Sequence, residues 1–172
     1  MKFTNAGQSL YEVIFALGIA ALVLTGIVSL AATSVRNSAF TRNNAQATKY
    51  AQEATEWLRG ERDADWGAFV GIVSANAVYC LDDSPLNPGS WSNPGICGGN
   101  EYIEDINGTT IFLRQVTFAC FRTNPVPPPP FESTGCSDPS VDNVEVAVSV
   151  SWNDAQGTHE VKSITRLTNW PK

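Results

Sequence analysis

Gly7-Gln8-Ser9-Leu10-Tyr11-Glu12-Val13-Ile14-Phe15-Ala16-Leu17 opens an apolar run that reaches Val35, and from Val13 to Val35 no residue is charged. A helix of that length, rising ~1.5 Å per residue, spans the roughly 30 Å apolar layer of a bilayer. Glu12 stands at its start. A carboxylate in or beside an apolar layer is costly unless it is paired or held at an interface, so its position flags a function; the plainer reading is a flank resting in the headgroup layer. A secretory signal explains the stretch less well. Such signals carry an apolar core of roughly 7 to 15 residues behind a basic start. Here the run is longer and Glu12 occupies the place of the basic region, although Leu30-Ala31-Ala32 would pass for a cleavage site. Arg36 and Arg42 after the run offset Lys2 before it, so charge counting does not orient a span.

A short leader with Lys2, ending in Gly7, then a polar residue, then Glu12 and an apolar helix together resemble the type IV pilin-like family, that is, type IV pilins and the pseudopilins of type II secretion. The resemblance implies cleavage by a prepilin peptidase between Gly7 and Gln8, N-methylation of Gln8, and a role for Glu12 in assembly, where it pairs with the terminal amine of a neighbouring subunit. It also implies other pilin or pseudopilin subunits and an inner-membrane assembly platform as partners. Gln8 departs from the aromatic residue or methionine common at the first position of mature major pilins. A physical argument supports the role of Glu12: in a bundle of apolar helices an unpaired buried carboxylate is expensive, and an adjacent amine offsets its charge.

The chain has 172 residues and a net charge of -6, enough for one modest domain beyond the helix. From Ala64 to the C-terminus twelve Asp and Glu face five Lys and Arg, which argues against a nucleic-acid surface. Cys80, Cys97, Cys120 and Cys136 all lie in this region. Their spacing is not that of a zinc site, and a single histidine supplies metal poorly. Behind a membrane helix they read as two disulfides in an oxidising compartment. Three connectivities satisfy four cysteines; Cys80 with Cys97 and Cys120 with Cys136 is favoured because each closes a Pro/Gly-rich loop, worth ~3 kcal/mol in the chain-entropy picture.

From Arg36 to Arg59, Phe40, Ala47, Tyr50, Ala51, Ala54, Trp57 and Leu58 recur at three- and four-residue steps, the pattern of an amphipathic helix. No proline interrupts Gln8 to Leu58, so one long rod is predicted, with weak helix formers at Gly18, Thr25 and Gly26 and a stop at Gly60. The stretch AQEATEWLRGERDADW (51–66) resembles, more weakly, the segment just past the helix in V-type minor pilins and in the I-type minor pseudopilin. Leu81 to Asn100 reads as a long loop. Glu101 to Ile106 and Thr109 to Phe121 read as strands about an Asn107-Gly108 turn, whose turn chemistry also accounts for the glycosylation sequon at Asn107. Pro125 to Pro130 reads as an extended spacer. Val144, Val146, Val148, Val150 and Trp152 alternate with polar or small residues as a strand with one buried face, Asn153 to Gly157 turns, and Thr158 to Thr168 returns.

These elements imply an α+β fold class: a long N-terminal helix packed by an antiparallel β-meander head with two disulfides. The expected segments are a leader over 1–7, a single-pass membrane or filament-core helix over 8–35, its amphipathic continuation over 36–60 and an extracytoplasmic head over 61–172. No phosphate loop, nucleophile elbow or H-E-x-x-H motif occurs. His159 reads as a solvated strand residue, and Asp82-Asp83 or Asp138 with Asp142 lack a calcium-loop pattern. No enzyme activity, cofactor or metal is expected. The expected function is a structural subunit, minor pilin or pseudopilin, of a pilus or secretion filament at the cell surface or in the periplasm. The alternative is a membrane-anchored binding or adhesion module outside any filament.

Overall fold

The computed structural model describes residues 10–81, 95, 97, 102–104, 111–123 and 131–170. The leader with Gly7 and Gln8, the Asn107-Gly108 turn and the Pro125–Pro130 spacer lie outside them. The chain divides into two compact units, Met1–Arg42 and Asn43–Lys172. Helix α1, Leu10–Ala64, is unbroken through both.

In the first unit every described side chain is exposed. Leu10, Phe15, Leu22, Val28, Leu30 and Val35 are each about two-thirds exposed or more. The helix is long and apolar enough to cross a membrane. It is continuous through Gly18, Thr25 and Gly26. Thr25 and Thr33 donate their hydroxyls to the carbonyls of Leu22 and Ser29, at 2.9 and 3.0 Å, so these polar groups are satisfied within the helix itself.

In the second unit the remainder of α1 buries Asn43, Ala47, Ala51, Ala54, Thr55 and Leu58, one stripe at helical spacing. Tyr50 and Trp57 pack beside it. Phe40, expected on this stripe, belongs to the first unit and is 41% exposed; periodicity marks a face but not where the surface covering it begins. Gly60 does not end the helix. A mid-helix glycine costs only about 1 kcal/mol relative to alanine, and the chain leaves α1 at Asp65, whose extended backbone (φ -156, ψ 108) and side chain cap a second helix, α2, Trp66–Ile72.

Among the described residues six strands come next: β1 Val78–Cys80, β2 Ile103–Glu104, β3 Ile111–Thr123, β4 Phe131–Thr134, β5 Asn143–Asp154 and β6 Gly157–Thr168. All strand pairings are antiparallel, in the order β1-β3-β5-β6, with β2 and β4 also on β3. One edge of β3 pairs with β5 along ten residues. Its other edge is shared by three short strands in succession: β2 at Ile111 and Phe112, β1 at Gln115 to Thr117, β4 at Cys120 to Thr123. The chain therefore passes out and back along β4 before crossing to β5, which is less direct than a simple meander.

Strands of two to four residues hold poorly alone, and two of the three are pinned covalently. Cys80, the last residue of β1, bonds Cys97; Cys120 of β3 bonds Cys136, two residues beyond β4. This is the connectivity favoured from sequence.

The inner face of the sheet carries Phe112, Val116 and Phe118 of β3, the alternating row Val144, Val146, Val148, Val150 and Trp152 of β5, and Leu167 of β6, all buried. The alternation predicted for β5 holds at every position. Gly157 (φ +126) opens β6 in the left-handed half of backbone space that a side chain would strain, and Asp154 pairs with it across the Ala155-Gln156 turn.

Candidate functional site

Two places hold side chains arranged beyond the needs of packing. The first is the start of α1. Glu12 sits in the first described turn of α1. Its neighbours Tyr11, Val13, Ile14 and Phe15 are exposed apolar side chains. A shallow groove formed by Ile14, Phe15, Gly18, Ile19 and Leu22 lies on the same helix. A side chain at Gly18 or Gly26 would meet no atom of the described residues within 4 Å, so the small size of these residues answers to no contact among them. Exposed apolar area of this extent is not carried by a soluble monomer without a partner surface.

The second is where α1 ends and α2 begins. Arg62, Asp63, Ala64, Asp65, Trp66, Asn169 and Trp170 line a cavity of about 500 Å³ that is partly open to solvent. Its walls are held from one place. The Trp66 indole N–H donates to the Val141 carbonyl at 3.3 Å, and the Asn169 amide donates to the Asp142 carbonyl at 2.9 Å. Asp142 is itself fixed, its Oδ1 accepting from the Thr123 amide at 2.9 Å and the Asn143 side chain at 2.6 Å. Burial pushes the Asp142 carboxyl up, but these hydrogen bonds outweigh it and hold the group below the usual carboxylate range.

Asp138 and Asp142, weighed as calcium ligands, are engaged in turns instead. Asp138 accepts from the Ser140 hydroxyl and amide and from the Thr134 hydroxyl, which lowers its pKa. His159 is less solvated than expected: Nε2 lies 2.9 Å from Asp154 Oδ1 and the ring stacks on Trp152 at 5.3 Å. Burial pushes the Asp154 carboxyl up, yet the hydrogen bond to His159 and those to the turn amides carry it below its ordinary value.

The residues predicted to be processed and methylated, Gly7 and Gln8, are outside the described region, and Glu12 and the four cysteines are placed as above. Sequence reasoning did not find the cavity, whose walls come from positions a hundred residues apart. The only available signal was two tryptophans, Trp66 and Trp170, at the ends of elements.

No family model, curated protein or solved structure matches this chain.

Proposed function

We propose that the protein is a structural subunit of a pilus-like or secretion-type filament, anchored and assembled through α1 after removal of its leader. The observation that carries this reading is the first unit of α1: a long apolar helix, exposed on all sides, with one carboxylate in its first turn. A bilayer alone would satisfy the apolar surface but gives no role to Glu12, which it would rather not hold. A bundle of sister helices satisfies both, because the exposed apolar rows bury one another and a neighbouring subunit's terminal amine pairs with the carboxylate. The groove at Gly18 suits such packing, since small residues let helices approach closely. The pair sets register more than it adds stability, because desolvation offsets most of its Coulomb attraction.

The second unit fits the exposed end of such a subunit. Its disulfides belong to an oxidising compartment, and its sheet rests on the same helix through the alanine stripe. Within the filament class, an acidic, doubly bridged, proline-rich head suits a minor pilin or pseudopilin present in few copies.

Glu12→Ala tests the reading. The expected result is loss of incorporation into sheared filaments with normal membrane insertion. Unchanged incorporation would sink the pairing role of Glu12 and favour a plain anchor carrying a binding head.

A further inference from the structure

We infer that the cavity between the end of α1 and the C-terminal segment is a binding site for an organic cation, an ammonium or quaternary ammonium group. Four features converge there. Its volume, about 500 Å³, is that of small-molecule sites, which run from roughly 300 to 1,000 Å³. Two indoles line it, and Trp170 is 71% exposed, a large aromatic face left open to solvent beside a concavity. Tryptophan is the strongest cation–π partner among the side chains. The cavity is bounded by Arg62 to Ala64, the last turn of a 55-residue helix, where the carbonyl ends concentrate partial negative charge.

The fourth feature is the charge of the lining. Asp63 and Asp65 outnumber Arg62. The Arg62 side chain is mostly buried, with Nε 2.8 Å from Asp63 Oδ1, an ion contact that lacks hydrogen-bond alignment. Asp65 contributes a second carboxylate. One of its oxygens, Oδ1, accepts the Ala68 amide at 3.0 Å as the N-cap of α2, and a carboxylate has acceptor sites beyond the one this bond uses. The surrounding domain is strongly acidic, with twelve acidic against five basic residues from Ala64 onward, which raises the local concentration of cations. The Trp66 and Asn169 walls are preformed, because both are anchored to the Val141–Asp142 backbone. Those two walls need little ordering when a ligand enters.

The test is a titration of the full chain in a nonionic detergent, with the tryptophan indoles labelled with nitrogen-15. Choline is the cation, and 3,3-dimethylbutanol is its uncharged counterpart of the same shape. Choline should shift the Trp66 and Trp170 indole signals saturably and leave the other three in place. Dimethylbutanol should bind at least tenfold more weakly. Trp170→Ala should abolish saturation. Asp65→Asn separates the two roles of that residue, since asparagine caps a helix as well as aspartate does; it should weaken choline binding three- to tenfold with helix content unchanged. Equal affinity for choline and dimethylbutanol, saturation by a neutral sugar in preference to choline, or no saturable shift in either indole would each overturn the assignment.

Discussion

Arg114 of β3 and Glu53 of α1 form an ion pair at 3.1 Å in which the arginine side chain is fully buried and the glutamate 26% exposed. The same guanidinium donates to the Leu81 carbonyl at 2.8 Å and the Tyr50 carbonyl at 3.2 Å. One cation thus joins the sheet's inner face to one turn of the helix and to the end of β1. Such a group tolerates no partial loss: the pair is modest as a source of stability, but removing one partner strands the other.

Glu53→Ala should therefore destabilise the second unit by about 3–5 kcal/mol, because it strands a fully buried guanidinium, and Arg114→Met by somewhat less, because the Glu53 carboxylate it leaves behind reaches water. The double variant should lose less than the sum, with a coupling of roughly 1–2 kcal/mol. Urea unfolding of the full chain in detergent, followed by tryptophan fluorescence, measures all four corners. Strict additivity would show that the pair is incidental.

Gly60→Ala should stabilise the protein by about 0.5–1 kcal/mol. Gly60 is helical and exposed, and an added Cβ would meet no atom of the described residues within 4 Å. A fall in the urea midpoint would mean that the helix needs a weak point there.

How much of the fold was legible in the sequence varies with the range of the interactions involved. Val144 to Trp152 announced their strand because alternation is local and its buried face is set by it. The apolar helix and its continuity were readable for the same reason, as was the pairing of cysteines across short loops. Gly60 misled because propensity is a weak term beside the cap that Asp65 provides, well past the expected stop. Strands β1 and β4 left no readable trace: three and four residues carry no periodicity, and they exist as strands because β3 offers them an edge. Arg114 had a faint signal, a charged residue on the apolar phase of a strand, but its partners lie 33 to 64 positions away. The cavity was invisible for the same reason of distance.

Removing the Cys80–Cys97 bridge by paired serine substitution should cost about 2–4 kcal/mol. The loss should concentrate in β1, giving faster amide exchange at Val78 to Cys80 than in the β5–β6 pair, whose twelve-residue register needs no covalent support. Uniform acceleration across the sheet would contradict this division.

Acid should weaken the second unit in a defined window. Asp138, Asp142 and Asp154 all have folded pKa values below their ordinary value of 3.8. A depressed carboxylate adds stability that is fully present above its unfolded pKa and is lost as pH falls through the lower folded value. Stability should therefore hold down to about pH 4 and decline below it. Asp142→Asn should flatten that decline, because Asp142 is the one that bonds both β3 and β5. An unchanged slope in the variant would remove Asp142 from the acid response.

A filament role for α1 depends first on processing of the N-terminus, and intact mass with N-terminal peptide mapping reads that processing directly on protein from the native membrane or from sheared filaments. A chain that begins at Gln8, with or without one added methyl group, is the predicted result and makes α1 a filament helix with Glu12 at its fifth residue. A chain that begins at Met1, or near Ala32, would contradict it and leave an ordinary anchor or a secreted domain.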